Sequence, residues 1–168
     1  FFKQNIAAPL GLKNTLVYSL TIKEPWPRSV QRVYGFERKH GKPVLNDLIR
    51  LDGVVGDGNI YASAEDLLAW DQALYTDKLL PQAALREAFT PVRLNDGHTH
   101  PYGFGWSLDA SGTVFSHTGS WVGFLNGIER NTAAKTTVIF LSNGTDGTAR
   151  RIAMAILKGE KAALPKTQ

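Results

Sequence analysis

At 168 residues, 43% of them hydrophobic and 20% charged, the chain is long enough for one ordinary domain with a real core and has no disorder composition. Its 19 basic residues are spread along the chain against 15 acidic ones, and the resulting +4 leaves no basic block for nucleic acid. Cysteine is absent, which excludes a disulfide framework and thiolate chemistry and fits a bacterial cytosol or periplasm equally. No apolar run approaches the roughly 18 residues that span a bilayer, and no signal peptide is visible. The chain opens on Phe1-Phe2-Lys3 without an initiator methionine, as expected of a piece of something longer.

Residues 1–20 read as a short helical stretch and then a turn in PLGLKNT, where Pro9 and Gly11 punctuate and Asn14-Thr15 suits a polar turn. Residues 21–58 are broken by EPWPR, GKP and GDGN, and are expected to form a folded loop region with short strand pieces such as RVYGFER. YASAEDLLAWDQALY then predicts a strong helix. Ser63 caps it, Asp66 completes a capping box, and Leu67, Leu68, Trp70, Ala73 and Leu74 form its apolar face. A second helix, PQAALREAFT, starts with Pro81 in its first turn and stops before Pro91.

After Pro91 the period changes. YGFGWSLD, GTVFSHT, VGFLNGIER and KTTVIFLSN are strand-length pieces separated by ASG, GSW and NTAA turns, and predict an antiparallel meander of three or four strands. A last helix, TARRIAMAILKGE, is expected to bury Ile152, Ala155 and Ile156, and AALPKTQ reads as a frayed tail. The fold class is α/β of an α+β kind: a helical and loop-rich region over 1–91, antiparallel strands and a C-terminal helix over 92–158, and a tail over 159–168. The VIFLS run needs cover on both faces of its sheet, and one terminal helix covers only one.

His98 and His100 alternate, and with His117 they would bind zinc if all three converged. Asp96-Gly97 and Pro101 instead mark a surface turn with solvated histidines. GDGNIYAS lacks the phosphate-loop pattern and reads as a turn into a capped helix. Ser63, Ser116 and Ser120 are the candidate nucleophiles, but none lies in G-x-S-x-G or begins S-x-x-K, and Ser63 is accounted for by capping. FSHTGSWVGF, residues 115–124, is sharper. His117 at a strand end, followed by Thr118 and Gly119, sets a cation and a hydroxyl on one side of a cleft. Gly119 admits a ligand to the backbone, and the Ser120 amide is a donor suited to a carbonyl oxygen. A hairpin turn with a surface histidine accounts for the same residues.

Together these motifs resemble the serine β-lactamase and penicillin-binding protein superfamily, in its class C β-lactamase, D,D-carboxypeptidase and esterase branch. HTGSWVGF resembles the third motif, usually Lys-Thr-Gly, of which His-Thr-Gly is a recurrent variant. IAAPLGLKNT is similar to the P-L-G-M-x-x-T turn, and GDGNIYASAEDLLAWDQAL to the branch's glycine–serine–acidic helix start. LLPQAALREAFTP, YGFGW and VIFLSN resemble what comes next, so the likeness runs over residues 2–158. The Ser-x-x-Lys nucleophile is absent, and Tyr61-Ala62-Ser63 matches the second motif by letters only. In the family both motifs precede P-L-G-M. The resemblance therefore implies an incomplete β-lactamase/transpeptidase-like fold, with residues 1–168 as the C-terminal part of one catalytic domain and a missing N-terminal part supplying covering helices and further strands.

The resemblance also implies a mechanism. A serine of the missing part attacks the acyl carbonyl of a β-lactam, a peptidoglycan D-alanyl peptide or an ester, and the acyl-enzyme is then hydrolysed. His117 takes the lysine's place, binding a substrate carboxylate or supporting proton transfer, with a charge that depends on pH. Thr118 hydrogen-bonds the substrate, the backbone N–H of Ser120 gives half the oxyanion hole, Trp121 shapes the cleft rim, and Phe124 packs in the core. No cofactor or metal is implied. The chain alone is expected to be inactive, and its uncovered sheet face to associate with itself or with a partner. The family's place is periplasmic or exported. A reading from a different class stays open: a non-catalytic module with a degenerate cleft that binds cell-wall peptide or a partner.

Overall fold

In the computed structural model of the chain, residues 1–19 and 32–157 are described; EPWPR, the KGE end of the last expected helix and the 159–168 tail lie outside them. A π-helical turn, Lys3–Ala7, runs into α1 (Ala8–Leu10), which Gly11 closes in a left-handed conformation. After the Asn14-Thr15 turn comes β1 (Leu16–Val17). The loop region holds a hairpin of β2 (Phe36–Lys39) and β3 (Lys42–Leu45), so only the end of RVYGFER is strand. A 3-10 turn, Arg50–Gly53, precedes β4 (Ile60–Tyr61), which pairs back onto β1.

The helix expected after Ser63 is α2 (Ala64–Ala73), and the Ser63 hydroxyl accepts the Asp66 amide at 3.2 Å. The reciprocal half of the capping box does not form. The buried Asp66 carboxylate instead accepts the Asn14 amide and the Thr15 hydroxyl, both at 2.7 Å. Two donors from that turn satisfy a buried carboxylate better than one cap amide would, and they stitch α2 to the start of β1. Leu68, expected on the buried face, is 48% exposed. It lies about 100° around the helix from Leu67, off the side centred on Trp70 and Leu74. Asp71, unremarked in the sequence, is fully buried.

Next come α3 (Gln82–Ala88) and a small hairpin of β5 (Val92–Arg93) and β6 (Thr99–His100). YGFGWSLD is mostly turn, and only β7 (Ser107–Leu108) is strand. Gly103 is the reason: a Cβ there would sit 2.2 Å from the Ala88 carbonyl oxygen, and the Phe104 amide donates to that oxygen at 2.9 Å. The segment is thus docked on the end of α3 instead of extending along a sheet.

β8 (Val114–Trp121), β9 (Phe124–Asn131) and β10 (Thr136–Ser142) complete a four-stranded antiparallel sheet in the order β10-β9-β8-β7. GSW is not a turn, and His-Thr-Gly is not at a strand end. β8 runs through Trp121, and the chain reverses at Val122-Gly123. The tip is fixed from outside the hairpin. A Cβ on Gly123 would lie 2.2 Å from the Phe36 nitrogen and 2.4 Å from the Gly35 carbonyl carbon. Its amide donates to the Asn46 carbonyl at 2.7 Å, and Val122 takes a φ of +44°, rare for a β-branched residue.

Finally α4 (Thr148–Leu157) packs on β10 and β9. Ala153 is its buried contact; Ile152 and Ala155 are half-buried, and Ile156, expected inside, is 61% exposed in the last turn. A small side chain at the contact lets the helix approach the strands closely.

Cover is not left to α4 alone, because α2 also packs on β10. Cross-strand register sets Phe115, Arg130 and Thr137 in one row and His117, Ile128 and Ile139 in the next, on the same face. Over the first row Phe115 packs with Leu74, Leu85 and Trp106. Trp70 stacks on Trp106 with centroids 6.0 Å apart. Asp71 reaches from α2 to Arg130, Oδ1 to Nε at 2.8 Å, and accepts the Thr137 hydroxyl at 2.9 Å. Tyr75, Phe89 and Trp106 surround the guanidinium at 4.7, 5.4 and 5.7 Å. A buried pair of this kind fixes geometry more than it adds stability, and here it pins α2 over one end of the sheet.

Candidate active site

Beyond that contact the same face opens into a cleft of about 1380 Å³ with a mostly apolar lining. Its floor is His117, Gly119 and Trp121 of β8, with Asn126 and Ile128 of β9 and Leu141 of β10 beside them. Leu67 and Trp70 of α2 close one side, and Arg32 and Tyr61 stand on another. His117, Thr118, Gly119, Ser120 and Trp121 are therefore brought together on one exposed stretch of strand.

The edge of β8 gives that stretch its chemistry. β7 pairs with β8 only at Ser107–Ser116 and Leu108–Phe115. Alternate residues of an antiparallel strand turn their amide and carbonyl to opposite neighbours. The Thr113 carbonyl accepts from Thr132 on the β9 side, and the Val114 carbonyl accepts from Asp109 on the β7 side. The same alternation turns the backbone of Thr118 and Ser120 to the β7 side, where no strand partner continues among the described residues. Gly119 adds room, since a Cβ there would meet nothing within 4 Å. An extended ligand can lie along this edge and pair with it as a strand would.

Two side chains of the stretch are held by residues that sequence reasoning missed. The Tyr102 hydroxyl lies 3.0 Å from His117 Nε2. The Trp121 indole donates to Oδ1 of the buried Asp52 at 2.7 Å, and Oδ2 of the same carboxylate accepts the Ile49 amide at 2.5 Å. The 3-10 turn is thereby tied to the cleft lip, while the Trp121 ring stays 42% exposed. Phe124, expected in the core, is half-buried and lines the cleft, its ring edge-on to Tyr61 at 6.2 Å. Gly35 is why it stops there: a Cβ on that glycine would lie 2.7 Å from the Phe124 ring.

On the facing wall Arg32 pairs with Asp47, whose Oδ1 also accepts the Gly35 amide at 2.8 Å. The guanidinium lies 4.8 Å from the Tyr34 centroid and 5.5 Å from that of Tyr61. Burial pushes the Tyr61 phenol above its ordinary range, with Arg32 acting against the shift. Ser63 is engaged as the α2 cap, and Ser116 sits opposite Ser107 within the sheet. His98 and His100 are exposed, His98 lying 3.3 Å from Asp96, and no metal-capable cluster of three such side chains occurs among the described residues.

The fold that carries this strand and cleft is the one seen in solved penicillin-binding proteins. The octameric penicillin-binding protein homologue from Pyrococcus abyssi superposes with a TM-score of 0.72 at 19% identity, over 95% of this chain and 37% of that one. A penicillin-binding protein from Bacillus halodurans gives 0.69 at 18% identity, over 94% and 48%. The Beta-lactamase family model matches residues 1–163, and the chain belongs to that family. Penicillin-binding protein 4* of Bacillus subtilis (strain 168) is 36% identical over 168 residues, 94% of this chain and 37% of the relative. The chain thus spans well under half the length of that relative. Membership places it in the serine acyl-transfer hydrolase superfamily.

Proposed function

We propose that this chain is the C-terminal part of one catalytic domain of a serine acyl-transfer hydrolase and forms one wall of its active site. The observation that carries the reading is the open edge of β8, with His117, Gly119 and Trp121 on its cleft side and the Ser120 amide turned outward. The Ser-x-x-Lys nucleophile comes from another part of the domain, seated over the uncovered half of the sheet face. A β-lactam, a D-alanyl peptide or an ester lies along β8. Its carbonyl oxygen takes one hydrogen bond from the Ser120 N–H and one from the nucleophile's own amide. Thr118 and His117 hold the acceptor end of the substrate, and Trp121, locked by Asp52, forms the rim.

Alone, the chain is inactive and its apolar cleft favours self-association; the octameric assembly named for the Pyrococcus abyssi homologue supports that the fold tolerates it. The names of the penicillin-binding relatives support an exported or periplasmic place of work. No helix among the described residues is long and apolar enough to cross a membrane.

The test is a fusion in which a Ser-x-x-Lys-bearing N-terminal segment from a member of the family precedes Phe1. Fluorescent penicillin should label that serine, and His117→Ala should slow labelling by about 100-fold, the lower end of what one positioned hydrogen-bond donor supplies. A fusion that is folded by circular dichroism yet takes no label from any β-lactam or ester would leave the non-catalytic binding module as the better account.

A further inference from the structure

We propose that Tyr102 is a positioning residue that makes His117 a hydrogen-bond donor toward the substrate and withholds it from acting as a base there; this rests on reading His117 as the third-motif residue of the site. The two rings are 6.1 Å apart and tilted by 58°, so they meet through the phenol oxygen and not by stacking. Both partners are rigidly held. The Tyr102 amide donates to the His100 carbonyl at 2.7 Å, and its carbonyl accepts the Val92 amide at 2.9 Å. Gly103, next in the chain, is fixed against the end of α3. His117 sits in mid-strand, paired with Ile128.

The consequence follows from the donor and acceptor count of an imidazole. The contact admits two arrangements, and the one proposed has the phenol, the more acidic group, donating its O–H to a bare Nε2, the more basic acceptor, which puts the ring proton on Nδ1. When the imidazole is protonated, Nε2–H donates to the phenol oxygen, which can also accept, and Nδ1 still carries its hydrogen. Tyr102 therefore serves both protonation states without moving. His117 lines the cleft and Tyr102 does not, so Nδ1 is the ring nitrogen left for a ligand. It offers an N–H in either state and no lone pair. Its fitting partner is an acceptor, a carboxylate or acyl carbonyl oxygen, as it would be for an ammonium group. The base that takes the nucleophile's proton then has to come from elsewhere in the site.

The experiment is nitrogen-15 spectroscopy of the histidine rings in the 168-residue chain and in the fusion, at a pH where the rings are neutral. The exposed His40 and His100 serve as references. His117 should carry its proton on Nδ1, and Tyr102→Phe, which removes one oxygen, should shift the proton to Nε2. In the fusion the same substitution should slow labelling by about tenfold, the worth of one hydrogen bond to a charged group. A wild-type His117 protonated on Nε2, or a tautomer unmoved by Tyr102→Phe, overturns the proposal. The tautomer is read without a labelling step, so a fusion that never labels counts against the acyl-transfer reading alone.

Discussion

Asp71 carries no chemistry in the site, yet more of the fold depends on it than on any serine near the cleft. Its carboxylate compensates the buried Arg130 charge and takes the Thr137 hydroxyl. Truncating it leaves a guanidinium buried without its counterion. Asp71→Ala should cost about 3–5 kcal/mol, read as a fall in the urea midpoint, and a change under 1 kcal/mol would contradict the pinning role given to α2. Tyr61 allows a test by pH. Burial raises its phenol, so folding favours the neutral form. That contribution is fully present below the ordinary value of about 10 and is lost as the pH rises through the folded one. Melting temperatures should fall above about pH 10 and fall less in Tyr61→Phe; equal slopes in both proteins would sink the assignment. Ser63 was legible from sequence because a cap and its helix are neighbours. Asp66 and Asp71 were not, because their partners lie 51, 52 and 66 positions away, and no local pattern encodes a contact at that range.

The hairpin β8–β9 is the element on which the site depends. Its existence was legible from two strand-length pieces with a short connection, and so was its antiparallel sense. Its tip was not. GSW has the composition of a turn, but the reversal is displaced to Val122-Gly123 because that glycine fits against Gly35 and Phe36 of a different hairpin. The displacement is what keeps His-Thr-Gly-Ser extended, and the short β7 leaves its edge open. Gly123→Ala should therefore lower stability by about 1–3 kcal/mol, the usual cost of overpacking. It should also perturb the Trp121–Asp52 bond, seen as a shift in tryptophan fluorescence. An alanine variant with unchanged stability and emission would show that the tip is not held as described. YGFGW taught the same lesson in reverse. It read as a strand-length piece, and Gly103 docked it on α3 as a turn, which in turn placed Tyr102 against His117.

At the scale of the whole molecule, the unresolved demand of the sequence was cover for a sheet that is apolar on both faces. Part of that cover is α2, pinned above the Phe115 row; over the His117 row the face opens into the cleft of about 1380 Å³, where the proposed function seats the rest of the domain. Residues in the strands could signal that cover was needed, but not where α2 would end and the cleft begin, since the Asp71–Arg130 contact decides that. The central claim is that this chain supplies the wall of an acyl-transfer site and not its nucleophile. Its most direct test is the intact mass of the purified 168-residue chain, before and after incubation with a β-lactam and with an activated ester. The account predicts an unchanged mass with both reagents. A single acyl adduct on Ser63, Ser116, Ser120 or any other serine of this chain would contradict it.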